Sequence, residues 1–82
     1  MYSVVLSGVA KKQLSKISKK DQDRIVKTLE RIRVRPYARL KKLVGNSYFR
    51  LRVGDYRIIV DVRDNELVIF VIELGHRKNI YN

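Results

Sequence analysis

The chain has 82 residues, 45% of them hydrophobic and 33% charged, with 19 basic against 8 acidic residues and a net charge of +11. A chain of this length builds one domain with one modest core. Because it has no cysteine and one histidine, disulfides and thiolate metal sites are excluded, and we expect neither a structural metal nor a cofactor. No apolar run approaches the roughly 20 residues that span a bilayer, and no basic leader precedes the apolar residues of the N-terminus. We therefore expect a cytoplasmic protein without a membrane partner.

The charge is unevenly distributed along the chain. Thirteen of the 19 basic residues, but only three of the eight acidic residues, precede Ser47. Such an excess favours a polyanionic partner. It is also compatible with an acidic protein partner, or with basic helices whose charge only keeps a small protein in solution.

The first half of the chain is predicted to form a strand and two helices. The β-branched "YSVVL" predicts a strand from Tyr2 to Leu6, which Ser7-Gly8 ends. Apolar residues at helical spacing then predict an amphipathic hairpin of helices over about 8–17 and 19–34, which Pro36 stops. The residues at that spacing are Ala10, Leu14 and Ile17, then Ile25, Leu29 and Ile32.

The stretch "YFRLRVGDYRIIVDV" changes to the period-two pattern of strands. Gly54-Asp55 suits a two-residue turn with glycine first, which pairs Arg52 with Arg57 and Arg50 with Ile59. We therefore expect Tyr48, Arg50, Arg52 and Arg57 on one face and the apolar residues, with Tyr56, against the helices. A short strand is also expected before this hairpin, at Lys41 to Val44.

The apolar run "LVIFVI" predicts a last, central strand that is covered on both faces. Its register depends on the loop after Arg63. A three-residue loop, Asp64 to Glu66, puts Glu73 beside Arg57, whereas a two-residue turn puts Glu73 on the core face; we favour the three-residue loop. The elements together predict an α+β fold in the order β-α-α-β-β-β, with a helical hairpin on a mostly antiparallel sheet.

The three hairpin arginines suit a phosphate site, because guanidinium groups offer fixed donors and keep their charge. The tail "GHRKNIY" can fold back toward them. RNA cleavage by the ribose 2′-hydroxyl needs a proton acceptor, stabilisation of the phosphorane and a proton for the 5′-oxygen. Tyr81 could accept the proton, the arginines stabilise charge, and Arg77 or His76 assist the leaving group. Equally, His76 could be a surface residue and Tyr81 a packing aromatic.

The hairpin "RVGDYRIIVDV" and the ending "ELVIFVIELGHRKNIY" resemble the RelE family of toxin–antitoxin toxins, within the RelE/ParE superfamily, over essentially the full length. The resemblance implies a RelE-like fold, an mRNA interferase that cuts the message in the ribosomal A site, and a RelB-like antitoxin, acidic and helical. Its catalytic residues would be Arg57, Arg77, Tyr81 and Arg50. Tyr48, which suits base stacking, occupies a second position that is basic in RelE.

The resemblance also implies that the basic helices hold ribosomal RNA through contacts without sequence information. The RNA-binding residues expected on the helices are Lys11, Lys12, Lys16, Lys19, Lys20, Arg24, Lys27 and Arg31. Those expected around the hairpin and tail are Tyr48, Arg52, His76 and Lys78. Two alternatives stay open: a ParE-like inhibitor of DNA gyrase with the same fold, and a non-catalytic RNA- or partner-binding module.

Overall fold

A five-stranded sheet carries two helices on one of its faces in the computed structural model, which describes residues 1–76. The order of strands across the sheet is Ser3–Leu6, Val68–His76, Tyr56–Arg63, Phe49–Val53 and Lys41–Lys42; the first two are parallel and the other neighbours are antiparallel. This arrangement confirms the predicted α+β fold. The elements are β1 (Ser3–Leu6), α1 (Gly8–Ser15), α2 (Lys19–Ile32), a 3₁₀ turn (Pro36–Ala38), β2 (Lys41–Lys42), β3 (Phe49–Val53), β4 (Tyr56–Arg63), a second 3₁₀ turn (Asp64–Glu66) and β5 (Val68–His76).

Both helices begin at a serine cap. The Ser7 hydroxyl accepts a hydrogen bond from the Ala10 N–H at 3.0 Å, and the Ser18 hydroxyl accepts one from the Asp21 N–H at 3.2 Å. Each cap satisfies an N–H group that the first helical turn leaves without a partner. Within residues 1–76, no helix has the length and apolarity needed to cross a membrane.

The core lies between the helices and the sheet face that they cover. The helices contribute Ala10, Ile25, Leu29 and Ile32, and the sheet contributes Leu51, Val53, Ile58, Val60, Ile69, Val71 and Leu74. Tyr56 packs against this core, as predicted, and its hydroxyl donates to Asp21 Oδ2 at 3.3 Å. Removal of these apolar side chains from water provides the main stabilisation of the fold.

The β3–β4 hairpin has the predicted register, with Val53 opposite Tyr56, Arg52 opposite Arg57 and Arg50 opposite Ile59. Gly54 has a φ of +58°, and within residues 1–76 Leu67 is the only non-glycine residue with a positive φ. A positive φ at the first turn residue alone is the pattern of a type II′ turn, which favours glycine at that position.

The predicted connection to β5 is wrong in length. Arg63 pairs with Val68, so the loop spans four residues and ends at Leu67, whose φ is +53°. A register shift between Ile59 and Val60 then leaves one extra residue in β5. The longer loop alone would turn Glu73 to the core side, and the bulge returns it to the other face. Glu73 therefore lies opposite Ile59 rather than beside Arg57.

The expectation that β5 is covered on both faces is also wrong for the described residues. β5 does lie inside the sheet, between β1 and β4. However, its burial alternates: Ile69 and Val71 are buried against the helices, whereas Phe70 is half-buried on the opposite face. The Arg63 guanidinium lies 5.2 Å from the centre of the Phe70 ring and shields part of it.

Candidate nucleic-acid interface

The outer face of the sheet, which points away from the helices, holds the predicted arginines in two cross-strand rows. The row nearest the hairpin turn is Arg52, Arg57 and Gly75, and the next row is Lys41, Arg50, Ile59 and Glu73. Neighbouring residues in such rows have side chains on the same face. The predicted grouping of the three arginines by strand position is therefore present.

Arg52 and Arg57 are the closest pair of positions in this group. Because Val53 and Tyr56 flank a two-residue turn, the next pair, Arg52 with Arg57, is a non-hydrogen-bonded pair, for which Cα atoms lie about 4.5 Å apart. Arg57 is half-buried and Arg52 is exposed. Like charges in this arrangement repel each other. A bound anion such as a phosphate would relieve that repulsion.

The second row combines charge with an apolar floor. Ile59 is only 5% exposed although it faces away from the helices. It lies between Arg50 on β3 and Glu73 on β5. Glu73 is the one carboxylate in the two rows, and it can either compete with a phosphate for the arginines or take part in proton transfer.

Tyr48 precedes β3 and is 38% exposed. Its N–H donates to Asn46 Oδ1 at 2.8 Å, and its carbonyl accepts a hydrogen bond from the Leu43 N–H at 3.0 Å. These bonds hold the backbone while the ring stays accessible. Such a ring is suited to stack on a base.

His76 does not join the arginines at its strand position. It pairs with Tyr56, and the two ring centres lie 5.8 Å apart on the helix side of the sheet. There His76 lines a pocket of about 320 Å³ together with Gln13, Lys16 and Glu73, so Glu73 borders this pocket although its strand position lies in an outer-face row. The expectation that His76 meets the arginine face is wrong, because the bulge in β5 shifts the register at the end of the strand.

The structure describes some of the remaining predicted residues but not others. Arg77, Lys78 and Tyr81 lie outside the described residues, so their roles stay predictions. The predicted lysines of the helices lie at exposed positions, and Lys19 forms an ion pair with Asp23 at 3.1 Å. Residues 1–76 contain no group of three His, Cys, Asp or Glu side chains that could hold a metal ion.

Sequence reasoning missed that Arg39 and Arg52 lie close to basic residues of α2. Together with Arg24, Lys27 and Arg31 they line a cleft of about 340 Å³. The recurrence of basic residues along α2 was visible in the sequence as a signal. The position of Arg39 could not be inferred from the sequence, because the connector that contains Arg39 has no periodicity.

Comparison with known proteins agrees with this geometry. Residues 4–81 match the family model described as the ParE toxin of the type II toxin–antitoxin system parDE. None of the curated proteins matches the chain. The archaeal RelE–RelB complex from Pyrococcus horikoshii OT3 is similar, at 27% identity and a TM-score of 0.83, with 96% of this chain and 98% of that chain covered.

Two bacterial structures are similar as well. The intact Escherichia coli RelBE toxin–antitoxin complex has 25% identity and a TM-score of 0.81, over 93% of this chain and 96% of that chain. The RelBE2 toxin–antitoxin complex from Mycobacterium tuberculosis has a TM-score of 0.85 over 93% and 98% of the two chains, and at 22% identity it shows the fold alone.

The shared fold and the matched sequence define the class of this protein as a toxin of a type II toxin–antitoxin system. Within that class, the chain belongs to the ParE toxin family of the RelE/ParE superfamily. The family model bears the ParE name, whereas the similar structures are RelE toxins. The superfamily is thus established, and these similarities do not distinguish a RelE activity from a ParE activity.

Proposed function

We propose that this toxin is a ribosome-dependent endoribonuclease that cuts mRNA in the A site, and so inhibits translation and arrests growth. The observation that supports the proposal most is the pairing of Arg52 with Arg57, next to Arg50, on the outer face. A group of guanidinium ions on one face of the sheet suits a phosphate whose negative charge grows during reaction. The site of action would be the cytoplasm, where ribosomes translate.

The proposed reaction is an internal phosphoryl transfer. The ribose 2′-oxygen forms a bond to phosphorus as the bond from phosphorus to the 5′-oxygen breaks, which gives a 2′,3′-cyclic phosphate and a 5′-hydroxyl end. One group takes the 2′-hydroxyl proton and another delivers a proton to the 5′-oxygen. Arg57 and Arg50 would stabilise the negative charge that develops on the non-bridging oxygens while these bonds form and break.

The proton transfers are assigned to the tail. Tyr81 would accept the 2′-hydroxyl proton, because neighbouring cations lower the pKa of a phenol. Arg77 would assist the leaving oxygen in preference to His76, since the register places His76 on the helix side. Glu73 is a competing acceptor, because it lies on the outer face one row from Arg57. No step in this scheme requires a metal ion.

An antitoxin is the second proposed partner. The similar structures from Pyrococcus horikoshii, Escherichia coli and Methanococcus jannaschii are complexes of RelE with RelB. By analogy, an acidic, helical, RelB-like antitoxin would cover the arginines with carboxylates and bury apolar side chains beside the sheet. Both kinds of contact are expected, because buried charge pairs alone contribute little net affinity.

The alternative function is inhibition of DNA gyrase, which the ParE name of the matched family favours. The two activities separate in cells after induction of the toxin. Cleavage predicts broken messages with 5′-hydroxyl and cyclic phosphate ends at ribosome-occupied codons. Gyrase inhibition predicts an SOS response with trapped gyrase and intact messages. Growth arrest that survives loss of both Arg57 and Tyr81 would instead indicate a non-catalytic binding module.

A further inference from the structure

Exposed apolar side chains gather at one end of the sheet, where β1 begins, β4 ends and β5 begins. This loop end comprises residues 1–3, 33–37 and 63–67. Its exposed apolar residues are Met1, Val34, Tyr37 and Leu67, with exposed fractions of 75%, 63%, 48% and 47%. Single exposed apolar residues are normal on a soluble protein, whereas a group of them in one place is characteristic of an interaction surface.

Two hydrogen bonds place Met1 beside Val34. The Tyr2 N–H donates to the Arg33 carbonyl at 2.9 Å, and Arg33 Nε donates to the Tyr2 carbonyl at 2.8 Å. Met1 precedes Tyr2 and Val34 follows Arg33 in the chain, so their backbones are adjacent at the loop end. The start of β1 is thereby fixed to the end of α2.

A second set of hydrogen bonds adds Tyr37 and Leu67 to this surface. The hydroxyls of Tyr2 and Tyr37 both donate to Asp64 Oδ1, at 2.7 Å and 2.9 Å. The Leu67 N–H donates to the Asp64 carbonyl at 3.2 Å, and the Leu67 carbonyl accepts from the Ser3 N–H at 2.8 Å. Three separate segments of the chain are therefore held together before a partner binds. A surface that is already ordered loses little conformational entropy on association.

Leu67 occupies its place at a conformational cost. Its φ of 53° and ψ of 48° lie in the left-handed region, which is unfavourable for leucine and which glycine or asparagine adopts more readily. The side chain is 47% exposed, so within the described part of the chain it gains only part of the stabilisation that full burial of a leucine provides. A strained and exposed apolar residue is expected where a partner covers it.

The charge of the loop end is balanced, although the whole chain carries +11. Its internal ion pairs are Arg33 with Glu30 at 2.9 Å and Arg63 with Asp61 at 3.1 Å. The other charged groups are the N-terminal amine and Arg35, against Asp64 and Glu66. Arg35 and Glu66 are exposed and belong to none of the ion pairs within residues 1–76. An RNA or an acidic protein is attracted by excess positive charge, which this end lacks.

We propose that the loop end binds a second copy of this chain. In a twofold arrangement each apolar group can pack on its counterpart, and Arg35 of each copy can pair with Glu66 of the other. Association through the end with balanced charge also keeps the strongly basic surfaces of the two copies apart. The surface is small, so we expect a weak dimer that forms only as the protein concentration rises. The inference holds whether the toxin cleaves mRNA or inhibits gyrase.

The first test measures self-association by sedimentation equilibrium, with the full chain refolded from denaturant so that no partner protein is present. Leu67→Asn removes the apolar group and keeps a residue that accepts the left-handed conformation, so the dimer should weaken about 5- to 10-fold while the fold persists. Val26→Gln is the matched control, because Val26 is 45% exposed in α2 and lies outside the loop end. It should leave the association unchanged.

The second test exchanges charges at the expected intermolecular pair. Arg35→Glu and Glu66→Arg should each weaken the dimer, because each variant brings like charges together across the twofold axis. The double variant restores opposite charges and the original net charge, so it should restore the association. Far-ultraviolet spectra check each fold, and Leu67→Gly, which also accepts a positive φ, replaces Leu67→Asn if that variant does not fold.

A monomer at every concentration of the unaltered chain would overturn the proposal. It would also be overturned if the double variant associated no better than the single ones, or if Leu67→Asn and Val26→Gln weakened the dimer equally. A Leu67→Asn variant that self-associates normally and loses affinity for an antitoxin would assign the loop end to the antitoxin instead. Cleavage on programmed ribosomes tests the proposed nuclease separately, so the two proposals fail independently.

Discussion

Arg52 and Arg57 face each other directly across the β3–β4 hairpin. Because like charges at such positions destabilise a sheet, the arrangement favours an anionic ligand at some cost to the unliganded fold. The two arginines differ in surroundings, since Arg52 is exposed and also lines the cleft beside α2, whereas Arg57 is half-buried. Stability and binding should therefore respond in opposite directions at Arg52.

Arg52→Thr should stabilise the folded chain while it weakens RNA binding. Threonine removes the repulsion with Arg57 and is favoured in strands, so we expect a gain of about 0.5 kcal/mol in the free energy of unfolding, or roughly 2–4 °C in Tm. Thermal unfolding measures it. Arg63→Thr is the matched control, because Arg63 pairs with Asp61 at 3.1 Å and gains nothing from neutralisation. A Tm for Arg52→Thr at or below that of the control would contradict the prediction.

Arg57→Ala should remove most of the toxicity and leave the fold intact. Loss of one charge contact to the transition state costs about 2.7–4 kcal/mol, or roughly 100- to 1000-fold in rate. Single-turnover cleavage on programmed ribosomes gives the rate, and a far-ultraviolet spectrum checks the fold. Arg63→Ala, on the same strand and face but three row positions away, should retain near-normal cleavage. A folded Arg57→Ala variant with undiminished growth arrest would remove Arg57 from catalysis.

Tyr81→Phe separates chemistry from packing in the tail. If Tyr81 accepts the proton, the phenylalanine variant should bind ribosomes normally and cleave about 100- to 10,000-fold more slowly. If the ring only packs or stacks, phenylalanine should act almost like tyrosine, whereas alanine should fail in either case. Near-normal cleavage by Tyr81→Phe would move the acceptor role to Glu73 or His76, of which Glu73 lies on the outer face.

The stability of the fold should depend on pH through Tyr37 and Asp64. The Asp64 carboxylate accepts hydrogen bonds from the hydroxyls of Tyr2, at 2.7 Å, and Tyr37, at 2.8 Å. Partial burial and the bond to Asp64 raise the pKa of Tyr37 to about 12. The bonds from Tyr2 and then Tyr37 lower the pKa of Asp64 below its ordinary 3.8.

These pKa shifts set an alkaline limit and an acidic limit to the pH range in which the fold has its full stability. The stabilisation from Tyr37 is present below pH 10 and is lost as the pH rises toward 12. The stabilisation from Asp64 is present above about pH 4 and is lost as the pH falls through the lowered pKa of its carboxyl group. Tm measured against pH should show both losses. Tyr37→Phe should reduce the fall of Tm at alkaline pH, and Asp64→Asn should reduce the fall of Tm at acidic pH. If Tm fell equally at alkaline pH in Tyr37→Phe and in the unaltered protein, a group other than Tyr37 would control the alkaline loss of stability.

Antitoxin binding should weaken as salt rises, because carboxylates of the antitoxin would pair with the arginines of the outer face. We expect an antitoxin variant with reversed charges to lose affinity at low ionic strength and to regain part of it at high ionic strength, where salt screens the new repulsion, as measured by titration calorimetry. Residual binding would report the apolar contacts. If the reversed and natural antitoxins bound equally well at both ionic strengths, electrostatic pairing would not be part of recognition.

The sequence alone was sufficient for the local features of this fold. The helical spacing of Ile25, Leu29 and Ile32 identified the buried side of α2, and Gly54-Asp55 specified the hairpin register, because a two-residue turn leaves one way to pair the flanking strands. The arginine pair on the outer face followed directly from that register. Each of these inferences involved residues that are near one another in the chain.

The tertiary structure alone decided what depends on distant residues. The four-residue loop and the bulge between Ile59 and Val60 placed Glu73 on the outer face and His76 on the helix side, and a shift of one residue reverses the face of a strand side chain. Likewise, α2 packs so that Arg24 lies over Gly54, which creates the cationic cleft. Packing of a helix against a sheet depends on the whole core, and no local periodicity encodes it.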